Sequence, residues 1–205
     1  MNIWAVLVAA GSGVRFGAPK HALDLHGRAV WEWGRDALLG GGVDEVIVVG
    51  EVPGGVPGGA TRRESVAGGL ARVPDTATHI VVHDAARPLA SAALVAEVIA
   101  VLREGASAVV PAVAVPDTIK RVEGSQVQAT VDRRGLVLVQ TPQGFVASVL
   151  REAHASSREA ATDDASLVEA MGVAVRVIEG SPHNVKITYP DDLVLVRALA
   201  GRDVR

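Results

Sequence analysis

The chain has 205 residues, 49% hydrophobic but only 3% aromatic, with a formal net charge of −3. That length suits one domain with a core large enough to fold without staples, and the lack of cysteine excludes disulfides and thiolate metal sites. No basic run interleaved with aromatics offers a nucleic-acid surface, no apolar stretch reaches the roughly eighteen residues of a membrane helix, and no basic leader precedes the first apolar run, so the cytoplasm is the expected compartment.

The chain begins with IWAVLVAAGSGVRFGAPK, an apolar strand running into a glycine turn. Such a turn delivers backbone N–H groups to an anion. Ala9, Ala10, Gly11 and Gly13 make the turn, and Arg15 and Lys20 follow closely. Two cations crowded on a short loop repel one another unless an anion joins them. Neither common glycine fingerprint fits. Phe16 stands where a dinucleotide motif needs its third glycine, and Lys20 lies between Pro19 and His21, not before Ser or Thr.

AVWEWGRDALL (29–39) reads as a helix with Trp31, Gly34 and Leu38 on one face. Trp31 and Trp33, two apart, cannot share that face, so one belongs to the core. DEVIVVG (44–50) is a strand without polar alternation, hence buried on both faces. GEVPGGVPGGA (50–60) is a loop placed to face a ligand. RRESVAGGLARV (62–73) is helical but weakened by Gly68 and Gly69, at about 1–2 kcal/mol relative to Ala. THIVVHD (78–84) is a third strand. Ser91 caps a helix that ends at Gly105. ASAVVPAVAV (106–115) is a fourth strand, whose Pro111 argues for an edge position, a bulge or a bend.

The pattern changes at Pro116. PDTIKRVEGSQVQATVDRRGL alternates polar and apolar residues around Glu-Gly-Ser, the mark of an exposed hairpin over about 116–135. Such an arm buries little by itself, and another subunit is its simplest cover. After it come a strand in LVLVQTP (136–142), a helix over 144–156, a short helix over 164–171, a strand in VAVRVIEG (173–180) and a helix begun by Pro190. This alternation predicts an α/β fold: a mostly parallel, doubly wound, Rossmann-like sheet with helices on both faces and a protruding β-hairpin arm, in one domain over 1–205. Ligands of such sheets sit at the carboxyl ends of the strands.

Asp84 lies directly past a buried strand, with Arg87 three residues on. The pair reads either as a turn cap with an internal ion pair, or as an acid that orients a metal or a hydroxyl beside a phosphate-binding cation. The six histidines show no zinc spacing and are assigned to turns or surface; Asp163-Asp164 is assigned to a helix start.

The segments AAGSGVRFGAPK, RRESVAGGL, VVHDAARP, VPAVAVPDTIK, TVDRRGL, QTPQGF, TDDASLVE and NVKITYPDD occur in this order. In that order they resemble the 2-C-methyl-D-erythritol 4-phosphate cytidylyltransferase family, from residue 3 to about residue 197. Ribitol-5-phosphate cytidylyltransferases share most of these motifs. The resemblance implies transfer of a cytidylyl group from CTP to a sugar-alcohol phosphate in non-mevalonate isoprenoid biosynthesis, with Mg²⁺ bridging the CTP phosphates and Asp84 as a carboxylate available to it. It implies catalytic cations at Arg15, Lys20 and Lys186, and nucleotide contacts at Ala9, Ala10, Gly11, Gly13, Gly59, Ser65 and Asp84. Substrate contacts fall to Asp84, Arg87, Thr118, Arg133, Thr141 and Thr162, with Thr118 and Arg133 reaching a neighbour's site in a homodimer. Action on ribitol phosphate or another sugar phosphate, or a non-catalytic nucleotide-binding role, remain as alternatives. The chain departs from the family in a short Arg15–Lys20 separation, a compressed 50–60 segment, and Ala60 where a carboxylate is common.

Overall fold

The computed structural model describes residues 1–11, 16, 23–156 and 162–201. A seven-stranded sheet forms its middle. Strand β1 (Ile3–Val8) lies between β4 (Glu45–Val49) and β5 (His79–Asp84), parallel to both. The sheet continues through β10 (Gln143–Val146), β6 (Ala108–Ala114) and β11 (Val175–Glu179). β10 runs against both of its neighbours, so β4, β1, β5, β6 and β11 all point one way. A short pair, β2 (Asp24–Leu25) and β3 (Arg28–Ala29), precedes the first helix.

Strand β1 shows why its sequence is apolar throughout. Ile3, Ala5 and Leu7 point to one face, where helices α1 (Val30–Gly40) and α3 (Ala92–Arg103) supply Trp31, Leu38, Val95 and Ile99. Val6 points to the other, against α2 (Arg62–Leu70), α4 (Ala147–Ser156) and α5 (Asp164–Ala170), through Val66, Leu70, Leu150 and Val168. A last helix, α6 (Pro190–Ala200), packs Leu193, Val196 and Ala200 against Leu25, Val30 and Ile187. The doubly wound, mostly parallel sheet expected from the sequence is what forms. The order reverses at β1, where the connection through α1 leads to one side and the return through α2 crosses to the other.

Helix ends follow their residues. Ser91 accepts from the Leu94 N–H, and Thr61 and Glu64 cap each other reciprocally at the start of α2. The glycines that weaken α2 in isolation let it lie close on the sheet, since a Cβ at Gly69 would stand 2.5 Å from Val6 Cγ1. Trp31 is the core tryptophan of its pair.

Two expectations are corrected. Of the edge, bulge or bend expected at Pro111, the edge is excluded: β11 pairs with it on one side, while on the other β6 changes partner from β10 to β9 (Val137–Val139) beside it. The Pro111 carbonyl accepts from the Gln140 N–H at this changeover, so the missing donor falls in the break between two ladders. The helix expected from residue 144 starts only at Ala147, because Gln143–Val146 is a strand wedged between β5 and β6. Gly144 admits α3 so closely that a Cβ would meet Val98 Cγ1 at 2.5 Å, and Phe145 is fully buried.

The arm is β7 (Ile119–Glu123) and β8 (Gln126–Val131), joined by a two-residue turn at Gly124. It forms a separate antiparallel sheet, exposed along nearly its whole length.

Candidate active site

At the reversal point the ends of β1 and β5 stand side by side, with Val8 in register with Asp84. Past β1 the chain turns through Ala9, Ala10 and Gly11, and the Ala9 N–H is held by the Val49 carbonyl at 2.7 Å. From the opposite side of β1 the loop before α2 brings Gly59, whose N–H donates to Ser65 Oγ at 3.1 Å. Ser65 is buried and donates in turn to the Thr61 carbonyl. These small residues leave backbone groups beside the strand ends. Gly13, Arg15 and Lys20 lie outside the described residues.

Asp84 is the hub. Its Oδ2 accepts from Lys186 Nζ at 2.6 Å and its Oδ1 from Arg62 Nε at 3.0 Å. Each oxygen of the carboxylate thus meets one cation. Burial alone would raise the Asp84 pKa, but Arg62 and Lys186 outweigh it and hold the group well below the ordinary carboxylate range. Arg62 is likewise shifted upward: burial opposes its charge, and Asp84 and Asp164 more than restore it. Of the two sequence readings of Asp84, the ion pair is present, with different partners. The Arg87 guanidinium instead donates to the Asn184 carbonyl at 2.7 Å, and burial lowers its pKa.

Behind Asp84 runs a chain of neutral groups with a single consistent proton arrangement. The Asp84 N–H donates to Thr141 Oγ1 at 3.0 Å, and Thr141 Oγ1 lies 2.8 Å from His83 Nδ1. His83 Nε2 lies 3.2 Å from the Arg87 carbonyl. Carbonyls only accept, so Nε2 carries the proton, Nδ1 accepts from the Thr141 hydroxyl, and the hydroxyl accepts from the Asp84 N–H. Burial keeps this ring neutral by pushing its pKa down to about 4. Asn184 donates its amide to the Thr141 carbonyl at 2.8 Å, which ties the segment carrying Lys186 to the β9–β10 turn. The Ile187 N–H donates to the Ala86 carbonyl, which anchors the same segment to the β5 loop.

The structure therefore brings together Asp84, Arg87, Thr141 and Lys186, beside the Ala9–Gly11 turn and the Gly59–Ser65 wall. Thr162 is exposed and lies just before Asp163, the cap of α5. Thr118 and Arg133 stay on the exposed arm, where the Arg133 guanidinium turns back onto the carbonyls of Val115 and Pro116.

Arg62, Asp164 and His154 were not selected as site residues from the sequence. Arg62 Nη1 donates to Asp164 Oδ2 at 2.7 Å, and Asp164 Oδ1 lies 2.9 Å from His154 Nε2. One signal for Arg62 existed: a cation in the first turn of a helix opposes the dipole unless a carboxylate meets it. Nothing local marks its partner, which is 102 residues away. The assignment of histidines to turns or surface fails for His83, which is buried with both ring nitrogens partnered, and for His154, whose side chain is only 6% exposed and whose Nε2 pairs with Asp164. Asp164 begins a helix as expected, but it also faces inward and belongs to this network.

An α/β sheet that gathers a carboxylate and cations at its reversal point, beside the small residues Ala9 to Gly11, has the arrangement of a nucleotide-type binding site. The family model for IspD, 2-C-methyl-D-erythritol 4-phosphate cytidylyltransferase, matches residues 3–202, and the chain belongs to this family. A 2-C-methyl-D-erythritol 4-phosphate cytidylyltransferase of Rhodococcus jostii is 46% identical, over 95% of this chain and 93% of the relative. The bifunctional enzyme IspD/IspF of Nitratidesulfovibrio vulgaris is 41% identical over 97% of this chain, which spans only 58% of that longer protein. The crystal structure of 2-C-methyl-D-erythritol 4-phosphate cytidylyltransferase from Thermus thermophilus superposes with a TM-score of 0.84. It is 42% identical and covers 95% of this chain and 97% of its own.

Proposed function

We propose that this chain transfers the cytidylyl group of CTP to 2-C-methyl-D-erythritol 4-phosphate, releasing pyrophosphate, as a step in isoprenoid precursor synthesis. The observation that carries the reading is the Asp84–Lys186 pair at the switch point of the sheet, 2.6 Å apart, inside a family of cytidylyltransferases. In the proposed reaction an oxygen of the sugar phosphate attacks the α-phosphorus of CTP, and the bond to the β-phosphate oxygen breaks. Negative charge builds on the α-phosphate and on the departing pyrophosphate, so the protein's work is positioning and charge stabilisation. Lys186 donates to the α-phosphate from one side, and Arg15 and Lys20 meet the triphosphate from the glycine turn. Ala9, Ala10, Gly11, Gly13, Gly59 and Ser65 line the nucleotide, while Asp84, Arg87, Thr141 and Thr162 take the sugar phosphate.

The finer parts of the proposal are the cation, the assembly and the compartment. Among the described residues no three His, Cys, Asp or Glu side chains come together as a metal cage. That donor set fits an ion carried by phosphate oxygens, since Mg²⁺ commonly needs only one or two protein carboxylates in such sites. Asp84 would be its protein ligand, through a lone pair left over by the Arg62 and Lys186 bonds. When bound, the ion neutralises charge on the triphosphate. The exposed arm supports a homodimer in which Thr118 and Arg133 complete the partner's site. No described helix is long and apolar enough to cross a membrane, and the cytoplasmic setting expected from the sequence is part of the same proposal.

The test is pyrophosphate release from CTP and Mg²⁺ with 2-C-methyl-D-erythritol 4-phosphate, run beside ribitol 5-phosphate. Turnover with the first supports the proposal. Turnover with ribitol phosphate alone would replace it.

A further inference from the structure

We infer that Arg62, clamped by Asp164 and His154, is a positioning residue that holds the Asp84 carboxylate so that Lys186 keeps donors free for phosphate. The inference rests on the assignment of Asp84 and Lys186 to the reaction. Five side chains from five segments make one line: Lys186, Asp84, Arg62, Asp164, His154. Charges alternate from Lys186 to Asp164. The line starts at the cleft, where 41% of the Lys186 side chain is exposed, and ends in the core, where 1% of Asp164 is exposed.

The geometry shows how force passes along the line. Arg62 commits Nε to Asp84 and Nη1 to Asp164, and Nη2 is enclosed without a hydrogen-bond partner. No nitrogen of this guanidinium is left facing the cleft, so its influence on the reaction runs through Asp84. A planar fork anchored at two points cannot swing, and a lysine there would reach one carboxylate only. Asp164 cannot swing either, because its second oxygen is held by the buried His154 ring.

The consequence appears at Lys186. An ammonium has three donors. With Oδ1 of Asp84 occupied by Arg62, the carboxylate engages Lys186 through Oδ2 alone. One donor is then committed, and two remain for a phosphate oxygen. Without Arg62, both carboxylate oxygens compete for the amine, and Lys186 is drawn from the cleft toward Asp84.

The experiment is a double-mutant cycle on the full chain with CTP, Mg²⁺ and 2-C-methyl-D-erythritol 4-phosphate. Arg62→Gln and Asp164→Asn are each measured with Lys186 present and with Lys186→Ala. Arg62→Gln should lower kcat on the order of tenfold to a hundredfold, the weight of one charged hydrogen bond, with KM for CTP changing less than about threefold. Asp164→Asn should fall between it and the native chain. Both losses should vanish in the Lys186→Ala background, because groups acting through one another are not additive. Losses that persist there would overturn the inference, and so would a lowered Tm with native kcat per folded molecule. If Arg62→Gln does not fold, the Arg62→Gln, Asp164→Asn double variant removes the cation with its inner carboxylate and is read the same way. Native turnover by Lys186→Ala would overturn the site assignment and the relay together, whereas additivity overturns the relay alone.

Discussion

The strand-end site and the hairpin arm solve opposite problems within one chain. At the site, Asp84, Thr141, Asp164 and Asn184 are buried, and the Asp84 and Asp164 carboxylates meet cations or ring nitrogens of the same chain. Burying a polar group without a partner is costly, so these groups pair within the chain, Arg62 Nη2, Arg87 Nε, His154 Nδ1 and Asn184 Oδ1 being exceptions. On the arm, Val122 and Val127 face each other across the hairpin with about 60% of each exposed, and Leu136 to Val139, between the arm and the sheet, are each at least 40% exposed. Exposed apolar side chains of that kind are a surface another protein can cover. The site is preassembled; the arm leaves its apolar side chains exposed.

The largest expected effect strikes the preassembled half. Lys186→Ala should lower turnover roughly 10²–10³-fold, the typical weight of one oriented donor to developing charge. Its stability should barely change, because the side chain is 41% exposed and Arg62 still pairs with Asp84. Steady-state rates beside a thermal melt check both halves of the statement. Native turnover would remove Lys186 from the reaction.

The same variant brings the two regions together. If the arm completes a neighbour's site, an Arg133→Ala chain mixed with a Lys186→Ala chain forms heterodimers in which one of two sites is whole. Random pairing in a twofold dimer then gives about a quarter of native activity, although each variant alone is nearly inactive. Recovery is scored after heterodimers are confirmed by differential tagging. A mixture no more active than its parts would leave the arm as a clasp only.

The contrast also explains what could be seen in the sequence. Strands β1, β4 and β5 were legible from apolar runs that pack on both faces of the sheet, and α3 because Ser91 caps it. The arm was legible from alternation around Gly124. Strand β10 was not: Gln143-Gly144-Phe145-Val146 has no strand period, and only the closeness of α3 explains its glycine. Within the site, Asp84, Thr141 and Lys186 follow strands or lie in motifs with a resemblance to guide them. Arg62, His154 and Asp164 required tertiary pairing, for which one chain's sequence carries almost no local sign.

A moderate effect should come from the neutral chain behind Asp84. Folded His83 titrates at about 4, against 6.5 for an unperturbed histidine. As pH falls between these values the unfolded chain binds a proton that the folded chain refuses. Stability is therefore lost as pH drops through this window, by about 3 kcal/mol at most for this one group. The depressed pKa of Asp84 adds a further loss only as pH falls through and below the ordinary carboxylate value of 3.8. Urea unfolding of the native chain and of His83→Gln, from about pH 7.5 to 4.5, checks this. The variant should lack that part of the slope, and parallel curves would mean that the buried ring is not held neutral.

The smallest effect on the isolated chain, and the sharpest division between the two regions, should come from Val122→Ser with Val127→Ser. The two side chains meet across the hairpin and little else covers them, so the monomer should lose no more than about 0.5 kcal/mol per site, the usual range for exposed positions. The preassembled network would be untouched, because Asp84, Arg62 and Lys186 lie on other segments. Self-association should weaken, since apolar area that would be buried between copies is gone. Sedimentation over a dilution series reads the association, and urea unfolding at the lowest concentration reads the monomer. Equal self-association by the variant and native chains would show that the arm's apolar surface is not what joins two copies. A large loss of monomer stability would mean that the arm leans on its own domain after all.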